Sequence, residues 1–249
     1  MRFNELKGLD VTFVVVEADY TFTGKPKDSL LFSKRMSELE RTTDAFTEKY
    51  SLSKVMGISK DPWVNEANLR NCIKKTIENT NPKADDVVII SDADEIHRRS
   101  VIEAYRPADG FKALITDKYG YYINLLEGRQ SWNRSRIMPW SYLENTTPEE
   151  VRNSGYPNQI DNAGWHFSWL GGVDKMLEKF AAFSHQEKDV QKRADRKLLE
   201  YKTQTGQSLW GDDFWEVVQV DETYPIDVVN NMTKYIHLIF LNPATNENT

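Results

Sequence analysis

Val87-Val88-Ile89-Ile90-Ser91-Asp92-Ala93-Asp94-Glu95 is the stretch around which the rest of the chain is organised. Its four β-branched apolar residues follow a turn-forming segment, Asn81-Pro82-Lys83-Ala84-Asp85-Asp86. Such a run predicts a strand buried on both faces, central in a sheet of parallel neighbours. The strand ends in three acids. If strand geometry continues through them, Asp92 and Asp94 share a face and Ala93 turns the other way. Two converging carboxylates at the carboxyl edge of an α/β sheet suit a hard divalent cation that in turn holds phosphate oxygens. An arbitrary Asp-x-Asp is more often a solvated turn; the buried run before it and Glu95 after it favour the metal site.

Upstream, Arg2 to Leu6 reads as the end of a helix stopped by Gly8, and Val11 to Glu17 as a second apolar strand that also ends in an acid. The loop Thr21-Phe22-Thr23-Gly24-Lys25-Pro26-Lys27 follows, and its two lysines either reach a phosphate or are simply solvated. Phe32, Met36, Leu39, Thr43, Phe46 and Tyr50 recur at steps of four and three, one face of an amphipathic helix. A short strand is expected around Lys54 to Ile58. Asp61-Pro62 then starts a helix whose apolar face is Leu69, Ile73 and Ile77 and which ends before Pro82. This alternation predicts an α/β fold with a mostly parallel central sheet flanked by helices.

Beyond the acids the pattern changes. Phe111 to Thr116 and Tyr119 to Leu126 read as a hairpin joined by Asp117-Lys118, and Trp132, Trp140, Trp165 and Trp169 fall in a loop-rich segment. Val173, Met176, Leu177 and Phe180 mark one helix; Val190, Ala194, Leu198 and Tyr201 mark another. A single domain over residues 1–242 with a frayed polar tail over 243–249 accounts for the chain.

With 39% apolar and 28% charged residues the chain is globular, and its net charge of −6 argues against a nucleic-acid or anionic-membrane binder. The single cysteine, Cys72, excludes an internal disulfide and a thiolate zinc cluster. No stretch approaches the ~20 apolar residues of a membrane span, and there is no signal-peptide pattern, so a cytoplasmic location is expected.

Strand-end carboxylates holding a cation serve several phosphate chemistries. A metal-dependent phosphohydrolase with an aspartate nucleophile is disfavoured, because Ile96 stands near the acids where a Thr is wanted and the cluster lies mid-chain. A glycosyltransferase would use the cation to bridge a sugar nucleotide's phosphates and a second carboxylate to take the acceptor's proton.

Three ordered blocks carry a family resemblance: Glu17 with Thr21 to Lys27, then Ser91-Asp92-Ala93-Asp94-Glu95-Ile96, then Gly164-Trp165-His166-Phe167-Ser168-Trp169. Together they resemble the bisecting N-acetylglucosaminyltransferase family from about Phe3 to about Leu238. The resemblance implies a GT-A type nucleotide-sugar-binding fold, an inverting mechanism, a nucleotide-sugar donor such as UDP-N-acetylglucosamine, a glycan acceptor, and manganese, or else magnesium, as the cation. It places the metal and diphosphate motif on Asp92 and Asp94, and Glu17, Thr23 and Lys25 in the donor-binding blocks. Members usually carry a further strand ahead of the stretch matching Arg2 to Leu6, and animal members a membrane anchor, so a microbial or viral glycan-modifying enzyme is expected.

The remaining roles come from the residues themselves. His185, in the polar context Ser184-His185-Gln186-Glu187, is the expected third metal ligand, with His166 as its rival. Glu187 is the expected acceptor-side base, with Asp161, Asp174, Asp212 and Asp213 unranked beside it. Trp165 and Trp169 are expected to stack on acceptor sugar rings, unless they are core residues. A catalytically idle carbohydrate-binding protein of the same fold is the alternative function.

Overall fold

The computed structural model describes residues 1–35, 49–55, 58–155 and 158–241. A short helix, α1 (Arg2–Glu5), precedes β1 (Thr12–Ala18), which pairs in parallel with β2 (Lys49–Val55). The second strand thus lies earlier than Lys54 to Ile58 and takes in Tyr50. Of the helix expected from Phe32, residues 31–35 are helical. Met36, Leu39, Thr43 and Phe46 lie outside the described residues, as does the tail beyond Asn242.

Helix α2 (Pro62–Glu78) begins as the sequence predicts: the Asp61 carboxylate accepts the Trp63 amide at 2.9 Å, and Pro62 needs no donor in the first turn. Its Ile73 and Ile77 join Val14 of β1 against Val88 and Ile90 of β3 (Val87–Ile90). Ile89 points the other way, toward Leu114 and Ile137. Both faces of β3 are therefore covered, as its apolar run implies.

The pairing is different from the expectation. A second sheet has the order β3-β6-β5-β7-β4, with β4 (Glu95–His97), β5 (Lys112–Gly120), β6 (Leu125–Pro139) and β7 (Gln159–Ser168), and β8 (Glu216–Val217) pairs with β6. Among the described residues only β5 and β7 run parallel in it; β3–β6, β5–β6, β4–β7 and β6–β8 are antiparallel. The architecture is mixed α/β, not mostly parallel, and among the described residues β3 is an edge strand. A run of apolar residues reports that both faces are covered, and coverage by α2 on one side and the β5–β6 hairpin on the other satisfies it without parallel neighbours.

The hairpin also turns later than predicted. β5 runs through Asp117 and Lys118 because both find partners within the sheet: Asp117 Oδ1 accepts the Gln130 amide at 2.7 Å, and Lys118 Nζ lies 2.5 Å from Glu127 Oε1. The reversal falls at residues 121–124, where Tyr121 takes a φ of +62°. Trp132 and Trp165 sit in strands rather than loops.

Consecutive strands β3 and β4 lie at opposite ends of this sheet, yet only residues 91–94 join them. Laid flat, five strands would place the outer two about 19 Å apart at 4.7–4.9 Å per gap. The connection is a turn closed by the Glu95 amide on the Asp92 carbonyl at 3.2 Å, so it spans less, and the sheet curls until its edges approach. Gly164 admits β4 on the inner side: a Cβ there would lie 2.0 Å from the Ile96 carbonyl oxygen, and its φ is +152°. The acids sit where the curl closes.

Candidate active site

The three acids have separate roles. Glu95 points inward and is 0% exposed. Trp132 Nε1 and Ser135 Oγ of β6 donate to its carboxylate at 2.5 and 2.6 Å, and the Asp92 amide donates at 2.8 Å. Arg152 Nη2 and Nη1 approach the two oxygens at 3.3 and 3.5 Å. Burial acts to raise its pKa, but the Arg152 charge and the Ser135 and Trp132 hydrogen bonds bring it down to about 2. A fully bonded carboxylate has no lone pair left for a cation. Glu95 instead fastens β4 across the curl to β6.

Asp92 and Asp94 leave the turn toward solvent, their side chains 45% and 32% exposed. Asp92 Oδ2 pairs with Arg152 Nη2, and Asp94 Oδ2 lies 3.5 Å from His166 Nε2 and 3.7 Å from Lys179 Nζ. Partial burial, and then the neighbouring Glu95 charge, push the Asp92 pKa upward against the pull of Arg152. Burial also acts upward on Asp94, but the hydrogen bond and charge of His166, with Lys179, hold it below the ordinary carboxylate value. Each keeps its Oδ1 without a hydrogen bond among the described residues.

Arginines frame this turn. Arg2 of α1 donates to the carbonyls of both Asp92 and Glu95. Arg152 sits on α3 (Pro148–Asn153), which starts with a reciprocal cap between Thr147 and Glu150. At the other end of α3 the buried Arg136 donates to the carbonyls of Val151, Arg152 and Ser154 at 3.1, 3.0 and 3.2 Å. A helix capped at both ends holds Arg152 against the acids.

His166 lies on β7 directly opposite Glu95, its ring 4.2 Å from that of Trp132. It is this histidine, and not His185, that stands beside Asp94. His185 is exposed, edge-on to Trp63 at 4.6 Å, with Nδ1 3.4 Å from Glu187 Oε2. The expected base and third ligand therefore pair with each other. Among the described residues no group of three or more His, Cys, Asp or Glu side chains is placed to hold a metal ion.

Of the expected donor residues, Glu17 on β1 and Thr23 are engaged in bonds within the fold. Glu17 accepts the amides of Phe32 and Ser33 at 2.8 and 3.1 Å and so caps the helical residues 31–35. Thr23 Oγ1 donates to Ala181 O at 2.9 Å, and the Phe22 amide donates to Ala182 O at 3.0 Å. These bonds tie the Thr21–Lys27 loop to the end of α4 (Gly172–Ala182), the helix that carries Lys179, while Lys25 is exposed. Neither expected acceptor tryptophan presents an open ring. Trp165 is 2% exposed, on the sheet face opposite His166, with the Arg98 guanidinium 4.2 Å over it. Trp169 is buried against Phe180 and Phe183, with Lys179 Nζ 4.6 Å from its ring.

His97, on β4 beside the acids, is buried, and neither ring nitrogen finds a hydrogen-bond partner among the described residues. Burial and then the Arg2 charge push its pKa down to about 4. A histidine held neutral in the fold gives stability that is complete above the unfolded value near 6.5 and is lost as pH falls through the folded value. Urea unfolding at pH 7.5 and pH 4 is expected to show roughly 3 kcal/mol of loss from this group. His97→Phe should remove that share, and equal losses in parent and variant would refute it.

The sequence model of glycosyltransferase family 17 matches residues 1–238, nearly the whole chain. The chain belongs to glycosyltransferase family 17. No curated protein matches it, and neither does any solved structure. Membership makes this glycosyltransferase an enzyme of sugar transfer, using a nucleotide-sugar donor and a glycan acceptor. The match spans all three motif blocks, including the acidic turn. Among the described residues of the enzyme, no helix is long and apolar enough to cross a membrane.

Proposed function

We propose that the chain is an inverting, divalent-cation-dependent glycosyltransferase of GT-A type that moves N-acetylglucosamine from UDP-N-acetylglucosamine to a glycan hydroxyl. The observation that carries this is the pair Asp92 and Asp94, partly exposed on one turn at the closure of the curl, each with one oxygen uncommitted among the described residues.

Two hard carboxylate oxygens fit manganese or magnesium, which bind through one or two carboxylates and complete their shell with phosphate and water. Asp92 and Asp94 would hold the cation, His166 being the nearest imidazole to them. When bound, such a cation supplies Lewis-acid stabilisation of the departing diphosphate. The chain's own groups do the rest. Arg152 and Arg2 hold the turn that carries both carboxylates, Glu95 keeps the edges of the sheet closed beneath it, and the Thr21–Lys27 loop is held beside the same helix as Lys179.

Calorimetry with UDP tests this reading. Binding is expected with manganese present and should vanish on adding EDTA. A protein that ignores UDP in both conditions, or binds it equally in both, contradicts the cation-dependent donor site.

A further inference from the structure

Most cations around the acidic turn are already committed. Arg2 serves two backbone carbonyls, Arg152 holds Asp92 and Glu95, and Arg70 is paired with Glu66 and Glu149. Lys179 is different. Its side chain is 39% exposed, and among the described residues its ammonium makes only long contacts, 3.7 Å to Asp94 Oδ2 and 3.3 Å to Ser168 Oγ, with the Trp169 ring 4.6 Å beneath it.

The turn that delivers Lys179 to this place is strained. Trp169 has φ +60°, followed by Gly171 at +96° and Gly172 at +82°. A left-handed conformation is costly for a bulky aromatic residue and persists only when the surroundings enforce it. Here the enforcement is packing of Trp169 against Phe180 and Phe183. The result folds α4 back over the end of β7, with Lys179 above Ser168 and Asp94.

We propose that Lys179 binds the diphosphate of the donor and neutralises it as it departs. The inference rests on the nucleotide-sugar reading above and names the residue that meets the leaving group. In the transfer, the bond from the sugar's anomeric carbon to the terminal phosphate oxygen breaks and its electron pair stays on that oxygen. The acceptor hydroxyl oxygen forms the new bond and gives its proton to a carboxylate or to water. Lys179 turns from Asp94 to the phosphate oxygen, where a compact ammonium is a mobile point charge. Removing one charge-stabilising donor from such a position costs about 100-fold or more in kcat.

The test uses Lys179→Met and Lys179→Arg, titrated with manganese alone and, with manganese present, with UDP and with inorganic diphosphate. Lys179→Met should melt with the parent and bind manganese alone at least as tightly, because Asp94 loses a competing cation. It should bind UDP and diphosphate at least about 10-fold more weakly and show the kcat loss stated above. Lys179→Arg should recover most of the diphosphate affinity. A Lys179→Met protein that keeps UDP affinity and kcat overturns the proposal alone. So does one that loses manganese itself, which would make Lys179 a support for Asp94, and so does an arginine variant that folds but recovers nothing. A parent that binds neither UDP nor diphosphate overturns the donor reading, and this inference with it.

Discussion

Replacing Arg152 by methionine is expected to lower stability by about 3–5 kcal/mol, the cost of removing one partner from a buried ion pair. The guanidinium is buried, meets Asp92 and both oxygens of Glu95, and donates to Arg134 O at 3.2 Å. Without it Glu95 keeps three neutral donors and no cation at its carboxylate, so the loss should fall toward the lower end. For a chain of this size that is a fall of roughly 10 °C in melting temperature. A double variant that also carries Glu95→Gln should lose less than the two single changes together, because the uncompensated charge is gone. Arg152→Met melting within 1 or 2 °C of the parent, by about the same conversion, would mean that Glu95 is not held by this pair.

What the sequence shows of this protein is mostly local. The Asp61-Pro62 start of α2 is legible because a cap is satisfied two residues away. The exposed pair Asp92 and Asp94 is legible too, although a turn rather than a continued strand brings it out. The parallel order of the sheet is not, because an apolar run such as Val87 to Ile90 reports covered faces and leaves the direction of its partner open. That partner is β6, about fifty residues on, with Ile89 opposite Ile137.

Glu95 was legible as an acid and illegible as a fastener, since Trp132, Ser135 and Arg152 are brought to it only by the curl. The same holds for the histidines. Polar neighbours in sequence favour His185, but it is the register of β4 on β7, setting Glu95 against His166, that decides which imidazole reaches Asp94. A signal for Arg152 was present in Thr147-Pro148-Glu149-Glu150, a capping box announcing the helix that carries it. For Lys179 there was none, because its place depends on the left-handed turn at Trp169.

Asp94→Asn should abolish nearly all transfer while leaving the fold in place. The amide keeps the shape of the side chain and loses the charge that a cation needs, so transfer should fall by about 100- to 1,000-fold, roughly 3–4 kcal/mol of transition-state stabilisation. Its contacts in the fold are long ones, to His166 and Lys179, and its side chain is partly exposed. The stability change should therefore stay within about 1 kcal/mol.

The nucleotide sugar is expected to react at the Asp92–Asp94 turn. This is tested most directly by following UDP release from UDP-N-acetylglucosamine with a glycan acceptor and manganese, on the parent and Asp94→Asn side by side, and reading the product's anomeric configuration by NMR. The parent should show acceptor-dependent release with inversion, abolished by EDTA, and Asp94→Asn should release UDP at about 1% of the parent rate or less while melting with the parent. An Asp94→Asn enzyme that turns over at the parent's rate, or a parent product with retained configuration, would contradict this reading.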